Sequence, residues 1–419
     1  MSLAAARLDM AVAAWRLLSP LSGPADNLLS RFFRDHPKLG VHDRGFIADT
    51  LFGLLRHRFY AEHLAENQTP RRLVLAYLTR FAGLSLRELE PCLSRDEAKW
   101  LAKIKEKAGE DLPFHVRAEL PEWLIEKLKV SLPENEILAL GRSMQNPAPL
   151  DLRVNTMRAS REEVLHSLQV EGLKAEPAPY SPIGIRLQNK ISLNRHPLFL
   201  SGKVEVQDEG SQLLCFLLAP RRHEMVVDFC AGSGGKALAL GAMMHNHGRV
   251  YAFDVSDKRL NHLKPRLKRS GLSNIHPQRI DSENDQKIKR LAGKIDRVLV
   301  DTPCSGLGTL RRNPDLKWRQ SPQSIEELKQ KQAAILKRAA TLLKPGGRLV
   351  YATCSILPEE NEAIVTDFLH ENRHFIIMNG SAVLAQQAIP LATGETLRLF
   401  PHLHGTDGFF AAVMEKTND

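Results

Sequence analysis

The stretch Arg297-Val-Leu-Val-Asp301-Thr-Pro-Cys304-Ser-Gly-Leu-Gly308 joins a short apolar run to an acid, a proline and a thiol. Such a run predicts a buried strand, with Asp301 and Cys304 at its carboxyl end. The pattern recurs fifty residues later, where Gly347-Arg-Leu-Val-Tyr-Ala-Thr353 leads into Cys354. Because the carboxyl ends of parallel strands face the ligand crevice of an open α/β sheet, the two thiols predict one reaction centre.

Strand and helix patterns alternate around these stretches from about residue 200 onward, which is typical of a doubly wound, mostly parallel α/β sheet. The predicted strands are Met225–Phe229, Arg249–Asp254, Asn274–Asp281, the two that end near Asp301 and Cys354, and Phe409–Met414. The last of these is expected to close the sheet.

A chain of 419 residues is too long for one ordinary domain. Residues 1–130 are predicted to be helical, with apolar residues at spacings of three and four. Residues 131–198 are predicted to hold linker helices and a small α+β subdomain, and residues 199–419 the α/β domain. The individual predictions for the first two regions are helices Ala4–Leu18, Asp26–Phe33, Gly45–Glu66, Arg71–Phe81 and Ser160–Glu171, and strands Leu150–Asn155 and Ile183–Leu187.

The composition, 43% hydrophobic and 25% charged, is that of a globular protein. No run of 18 apolar residues is present, so a soluble, cytoplasmic protein without a membrane partner is expected. The five cysteines include no CxxC pair and their number is odd, which favours reduced thiols over a zinc site or a disulfide framework. No metal is predicted, and nothing in the sequence indicates more than a monomer.

Positive charge is concentrated around the first thiol motif. The net charge is +10, and residues 255–319 carry sixteen Lys or Arg against seven Asp or Glu. A solvated basic face is one interpretation, and a nucleic-acid partner is the other. The position of the charge beside the thiol motif favours nucleic acid.

The segment Cys230-Ala-Gly232-Ser-Gly234-Gly235-Lys236 follows the first α/β strand and precedes a helix, so its backbone N–H groups are predicted to approach a ligand. Asp254 ends the next strand, where a carboxylate accepts ribose hydroxyls, and Asp281 ends the third, near an adenine amino group. The full dinucleotide fingerprint is missing, and Ala237 stands where a Walker hydroxyl would follow Lys236. S-adenosylmethionine is therefore favoured over NAD and ATP.

The five thiols are predicted to differ in role. Cys92 and Cys215 lie in apolar helical patterns and are interpreted as packing residues, whereas Cys230 is predicted to contact the cofactor or to pack. Cys304 and Cys354 are the predicted reactive pair, since nearby positive charge lowers a thiol pKa. The sequence supplies that charge through Lys236, Arg311, Arg312 and Lys317.

Five ordered motifs resemble the Sun family of RNA cytosine-5 methyltransferases: Asp228–Lys236, Asp301–Gly308, Arg312–Trp318, Tyr351–Glu362 and Pro401–Phe410. The resemblance covers about 150–419 and implies a class I S-adenosylmethionine-dependent methyltransferase fold, preceded by a small α+β subdomain. Residues 41–58 look like a core helix of the NusB-like RNA-binding fold, which implies an all-α NusB-like N-terminal domain. Many members have Ala-Pro-Gly-Gly-Lys-Thr where this chain has Gly-Ser-Gly-Gly-Lys-Ala, and that leaves the fine geometry of the loop open.

The resemblance implies a chemical role for three residues. Cys354 would attack carbon 6 of cytosine, Asp301 would hydrogen-bond ring nitrogen 3, and Cys304 would remove the carbon-5 proton. The cofactor contacts that it implies are Cys230, Ala231, Gly232, Ser233, Gly234, Gly235, Lys236, Asp254, Arg259, Asp281 and Asp301. The expected RNA contacts are Lys236, Arg311, Arg312, Lys317 and Trp318.

Ribosomal RNA of the small subunit is the expected substrate, and transfer RNA is the nearest alternative. An amino-group methyltransferase is disfavoured, because Asp301-Thr-Pro-Cys304 stands in place of an Asn/Asp-Pro-Pro-Tyr/Phe motif. A non-catalytic RNA-binding or ribosome assembly factor is a further alternative, which the retention of both thiols disfavours. His402, His404 and Asp407 are interpreted as loop architecture and not as metal ligands.

Overall fold

Helices make up the first of two compact units in the computed structural model, which describes residues 4–65, 67–106, 112–188 and 191–418. This unit comprises residues 1–147 and 309–322. Its core contains Trp15, Leu51, Leu54 and Leu75, all of them fully buried. The helices are Ala5–Leu18, Ala25–Asp35, Val41–Arg56, Arg58–Ala65, Pro70–Arg80, Leu86–Leu89, Arg95–Glu106, Phe114–Ala118, Glu122–Leu128, Glu134–Met144 and Leu316–Arg319.

The single helix predicted over Gly45–Glu66 is two helices in the structure, and Glu66 itself lies outside the described residues. The chain leaves the helical conformation at His57, with φ −110° and ψ 28°. The His57 ring stacks on Phe81 with 4.0 Å between the ring centroids. Burial, aided by nearby Lys317 and Arg56, lowers the pKa of His57 to about 3. The neutral ring therefore serves as an apolar packing group at the break.

A small antiparallel sheet begins the second unit, which comprises residues 148–308 and 323–419. Its strand order is β2-β3-β1-β4, with β1 at Leu150–Val154, β2 at Ala175–Pro177, β3 at Gly184–Leu187 and β4 at Val204–Val206. The helix Arg161–Val170 packs on it and begins with a capping box between Ser160 and Glu163. The sequence did not predict β2, a three-residue edge strand that ends in proline.

The strands of the larger sheet are β5 Met225–Asp228, β6 Arg249–Asp254, β7 Ile275–Arg279, β8 Ile295–Asp301, β9 Leu343–Thr353, β10 Phe375–Met378, β11 Leu397–Leu399 and β12 Phe409–Lys416. Their order is β10-β12-β9-β8-β5-β6-β7, and β11 pairs with β12. The strands β5 to β9 pair in parallel, and β12 is antiparallel to β9 and β10. The predicted doubly wound, mostly parallel α/β fold is confirmed, but β12 lies inside the sheet instead of closing its edge.

Helices connect the strands of this unit. They are Pro197–Leu200, Glu209–Leu218, Gly235–Met243, Asp257–Ser270, Gln286–Lys289, Pro322–Ala340, Glu362–Glu371, Gly380–Ala385 and Pro401–His404. No helix in the described ranges is both long and apolar enough to cross a membrane. The chain passes from β5 to β6 and β7, then returns to place β8 beside β5. This reversal makes the gap between β5 and β8 the topological switch point, where ligands bind in such sheets.

Candidate active site

A cavity of about 450 Å³ opens at the carboxyl ends of β5, β6, β8 and β9. In the parallel ladder Asp228 is level with Leu299 on β8, and Asp301 is level with Ala352 on β9. The register therefore brings Asp228, Asp301 and Cys354 to the same edge of the sheet. The lining includes Gln207, Ser211, residues 228–233, Gly235, Lys236, Asp254, Val255, Arg259, Arg266, Ile280, Glu283, residues 301–304, Lys331, Ile335 and Cys354.

The two thiols predicted to react meet in this cavity. The sulfur atoms of Cys304 and Cys354 are 3.3 Å apart, a hydrogen-bond distance for sulfur. The hydrogen bond with Cys354, burial and the negative charge of Glu360 raise the pKa of Cys304 well above its ordinary value. The lowering of the thiol pKa by positive charge that the sequence predicted is therefore not found at Cys304, and either sulfur can donate the hydrogen bond.

Lys236 and Asp301 form an ion pair beside the thiols. The Lys236 ammonium donates to Asp301 Oδ2 at 2.6 Å. Burial disfavours the charge on Lys236, but the adjacent Asp301 carboxylate outweighs it, and the pKa of the ammonium lies above its ordinary value. Lys236, one of the expected RNA contacts, is thus committed to a carboxylate at the reaction centre.

The glycine-rich loop has the conformation that its glycines permit. Gly232 and Gly234 have φ values of +57° and +79°, a region that L residues rarely adopt. A Cβ on Gly234 would also overlap the side chain of Leu263. The N–H of Gly232 donates to Asp254 Oδ2 at 2.8 Å. Asp254 therefore holds the loop against the end of β6 while lining the cavity.

Asp228 is a site residue that the sequence did not indicate, although it begins the motif Asp228–Lys236. Neither carboxylate oxygen has a hydrogen-bond partner among the described residues. The N–H of Ala237 approaches closely enough to favour the charged form. Burial, against the opposing effect of Lys236, raises the pKa of Asp228 to about 7. Its position as the last residue of β5, directly before the loop, was the signal that could have identified it.

These residues fit S-adenosylmethionine. An unpartnered, buried carboxylate requires a cation or a donor, and the cofactor carries an ammonium group. Asp254, at the end of β6, stands where acids accept ribose hydroxyls in such folds. Cys230, Ala231 and Ser233 line the same cavity. One molecule of S-adenosylmethionine can therefore supply an ammonium group to Asp228 and ribose hydroxyls to Asp254.

Two expected cofactor contacts lie at or beyond the rim of the cavity. Arg259 is largely exposed, and its Nη1 is 4.0 Å from Asp254 Oδ2. Asp281 is not part of the lining, because β7 ends at Arg279, two residues earlier than predicted. Its side chain is 81% exposed and forms an ion pair with Arg279 at 3.2 Å. Ile280 and Glu283 line the cavity in its place.

The remaining expected RNA contacts belong to the helical unit, because residues 309–322 fold with it. Lys317 is 5% exposed, and its ammonium donates to the carbonyls of Arg56 at 2.9 Å and Glu119 at 2.7 Å. The Trp318 indole donates to the Leu55 carbonyl at 3.1 Å. Lys317 and Trp318 therefore both pack within this unit, and the buried Lys317 ammonium is not available to RNA.

The two arginines of this segment differ in exposure. Arg311 is 8% exposed, and its carbonyl accepts a hydrogen bond from Arg56 at 2.9 Å. Arg312 is half-buried. Arg311, Arg312, Lys317 and Trp318 were expected to contact RNA. Of these four, Arg312 and Trp318 are partly exposed, and Arg312 is the charged one of the two.

Lys317 and Glu119 form a buried ion pair, with 3.6 Å between Lys317 Nζ and Glu119 Oε2. Burial lowers the pKa of Lys317 and raises that of Glu119. Lys317→Met removes one charge and leaves the other buried, so we expect it to lower the free energy of unfolding by about 3 kcal/mol. Urea unfolding followed by circular dichroism measures this loss.

The double variant Lys317→Met/Glu119→Gln is the matched control. It leaves no unpaired charge. The amide oxygen of the glutamine can still accept one of the two N–H groups, those of Phe59 and Tyr60, that donate to separate oxygens of Glu119 in the structure. It should recover part of the lost stability. Equal losses in the single and double variants would show that the pair contributes nothing beyond packing.

Known proteins resemble the chain over nearly its whole length. A family model described as 16S rRNA methyltransferase RsmB/F matches residues 215–415, and an RsmF/B-like ferredoxin-like domain matches residues 120–194. The "Probable ribosomal RNA small subunit methyltransferase B" of Synechocystis sp. is 32% identical over 93% of this chain and 95% of that protein. The "Ribosomal RNA small subunit methyltransferase B" of Photorhabdus laumondii is 36% identical over 71% of this chain and 66% of that protein. The crystal structure of PH0851 is 27% identical, with a TM-score of 0.79 and coverage of 99% of this chain and all of that one.

Proposed function

The chain belongs to the RsmB/F family of 16S rRNA methyltransferases, and from this we propose that it methylates carbon 5 of a cytosine in 16S ribosomal RNA. The resemblance drawn from its motifs is thereby confirmed at the level of the family, and the chain is an RNA methyltransferase that uses S-adenosylmethionine. The observation that carries the carbon-5 proposal is the 3.3 Å separation of the Cys304 and Cys354 sulfurs. Two thiols serve this reaction because one adds to the ring and the other removes a proton.

The proposed reaction begins with the thiolate of Cys354, which adds to carbon 6 of a cytosine that has left its stack. Negative charge then develops toward ring nitrogen 3. Asp301 hydrogen-bonds the ring there, and a proton from the Lys236 ammonium, which donates to Asp301, stabilises the charge. S-adenosylmethionine supplies the electrophilic methyl group that carbon 5 takes up.

Release of the product requires a base. Carbon 5 now carries both a methyl group and a proton. The Cys304 thiol passes its own proton to solvent, and the resulting thiolate takes the carbon-5 proton. The electron pair of the carbon–hydrogen bond restores the ring double bond, and the bond between carbon 6 and Cys354 breaks. The raised pKa of Cys304 makes its thiolate a strong base for this step.

RNA binding is proposed for the exposed basic face of the helix Asp257–Ser270. Lys258, Lys264 and Lys268 of this helix are exposed, and Arg259 reaches the cavity rim. Lysines on one surface suit a sequence-independent grip on phosphates. We also propose that the NusB-like region, residues 1–130, holds RNA, and that the enzyme acts as a cytoplasmic monomer.

Bisulfite sequencing of total RNA from cells with and without the gene tests the proposed function. Loss of one 5-methylcytosine signal from the small-subunit ribosomal RNA is the expected result. A signal lost from transfer RNA instead, or from no RNA, would contradict the proposal.

Asp228 provides a prediction for cofactor affinity. Its carboxyl pKa is raised to about 7, so the protein must lose this proton before the carboxylate can bind an ammonium group. Affinity for S-adenosylhomocysteine should therefore rise as the pH increases from about 6 to 8, and Asp228→Asn should weaken binding at the upper pH about tenfold. Isothermal titration calorimetry at three pH values measures both effects.

The difference between wild type and Asp228→Asn isolates the carboxyl group from any titration of the ligand. A pH dependence that is the same in both proteins would exclude Asp228 as the ammonium partner. Without ligand, the stability contributed by a group with a raised pKa is present at low pH and lost as the pH rises. Asp228→Asn should consequently flatten the fall in stability as the pH approaches 7.

A further inference from the structure

One buried carboxylate connects the two thiol-bearing loops. Glu360 is completely buried and lies outside the lining of the cofactor cavity. Its Oε2 accepts the hydroxyl of Ser305 at 2.6 Å and that of Ser355 at 2.5 Å. Ser305 directly follows Cys304, and Ser355 directly follows Cys354. A single oxygen atom thus receives one hydrogen bond from each loop.

The other carboxylate oxygen completes the arrangement. Glu360 Oε1 accepts the backbone N–H of Ser305 and the side-chain amide of Gln332, both at 2.9 Å. The same Gln332 amide donates to the carbonyl of Pro303 at 3.1 Å, on the other side of Cys304. Ser305, Ser355 and Gln332 are all buried. The backbone on both sides of Cys304 is therefore fixed through one carboxylate.

From these contacts we infer that Glu360 is a positioning residue, which holds the loops of Cys304 and Cys354 together so that the two sulfurs stay at hydrogen-bond distance. The carboxylate suits this task because its two oxygens accept about four hydrogen bonds, and four donors converge on it here. A backbone shift of about 1 Å in either loop is enough to lower turnover about 100-fold. The catalytic role of the two thiols rests on the proposed function. The contacts by which Glu360 holds their loops do not.

The charge of Glu360 acts on the same thiol. It lies among the groups that raise the pKa of Cys304, after the hydrogen bond with Cys354 and burial. The charge of Glu360 therefore favours the protonated form of Cys304. Glu360 thus affects both the position of the two loops and the protonation of Cys304.

Glu360→Ala tests the positioning role. We expect about 100-fold lower turnover, with affinity for S-adenosylhomocysteine within about twofold of wild type, because Glu360 does not line the cofactor cavity. Cross-linking gives a readout that needs no RNA. Diamide takes two electrons and two protons from the Cys304 and Cys354 thiols as their sulfurs join, and peptide mapping measures the rate. That rate should fall at least tenfold in Glu360→Ala.

Glu362→Gln is the matched control, because Glu362 begins the next helix and pairs with Arg398 at 2.6 Å, away from both loops. It should cross-link and turn over like wild type. Wild-type cross-linking in Glu360→Ala would overturn the inference, and so would parallel losses of turnover and cofactor affinity. If the proposed function were wrong, no methylated RNA would form with any variant. Glu360→Ala would still cross-link more slowly than wild type.

Glu360→Gln serves if Glu360→Ala does not fold. Its amide oxygen retains the two N–H donors, and its NH₂ group donates to the two serine hydroxyls, so the shape is kept and the charge is lost. In a Cys354→Ala background, the pH midpoint for alkylation of Cys304 should fall when Glu360→Gln is added. An unchanged midpoint would overturn the electrostatic part of the inference, and slow cross-linking in the single Glu360→Gln variant would show that the charge also holds the loops.

Discussion

The Cys304→Ala variant is expected to accumulate a covalent complex with its RNA. Cys354 can still add to carbon 6 and carbon 5 can still take the methyl group, but the thiol proposed to remove the carbon-5 proton is gone. Multiple turnover should fall about 10²–10⁴-fold, the range for loss of a general base. A denaturing gel of protein mixed with labelled RNA and S-adenosylmethionine should show the complex as a slowly migrating band.

Cys92→Ala is the control for this experiment, because Cys92 is a thiol of the helical unit, remote in sequence from both motifs. It should form product at the wild-type rate and accumulate no complex. If Cys304→Ala released product normally, the residue would not be the base that the proposed mechanism requires.

The Cys354→Ala variant should lose both the product and the covalent complex. Without the thiolate, carbon 5 of cytosine is too weak a nucleophile to accept a methyl group, so we expect the rate to fall by at least about 10⁴-fold. Methylation is measured as transfer of a tritiated methyl group into RNA. Affinity for S-adenosylhomocysteine should remain close to wild type, since Asp228, Asp254 and the glycine-rich loop are intact.

The double variant Cys304→Ala/Cys354→Ala separates the roles of the two thiols. It should behave like Cys354→Ala, because the nucleophile acts before the base. A covalent complex in Cys354→Ala but not in Cys304→Ala would mean that the two assignments are reversed.

Local pattern was sufficient to predict the large sheet and the meeting of the thiols. The apolar runs before Asp301 and Cys354 set the strands, and sheets of this class place such neighbours side by side. β8 and β9 are indeed parallel neighbours, and the sulfurs that follow them lie 3.3 Å apart. The prediction succeeded because strand ends determine where these side chains lie.

Residues whose environment depends on distant segments could not be predicted. Lys317 appeared as one more cation in a basic stretch, but it is buried against Glu119, which lies 198 positions earlier. Charge patterns carry no information on such burial. From the sequence alone, Glu360 is one of several acids near a predicted helix start, a favourable place for negative charge. Its role depends on the fold, because Ser305 and Gln332, from two other segments, donate hydrogen bonds to it.

Asp281 shows how sensitive a site prediction is to the end of a strand. β7 ends two residues before the predicted position, and a side chain expected in the cavity lies in the following turn, 81% exposed. Asp228 shows the converse. It was visible as the end of β5, but its lack of a partner and its raised pKa depend on how tightly β5 is enclosed.

RNA transcribed with 5-fluorocytidine gives the most direct test of the central claim, that two thiols act in turn on one cytosine. Fluorine replaces the carbon-5 proton, so Cys304 has nothing to remove, and the wild-type enzyme should remain joined to methylated RNA. Digestion and mass spectrometry should find the modified nucleotide, with its methyl group, on the peptide that contains Cys354. A nucleotide on the Cys304 peptide, or methylated RNA released without any protein adduct, would contradict the account.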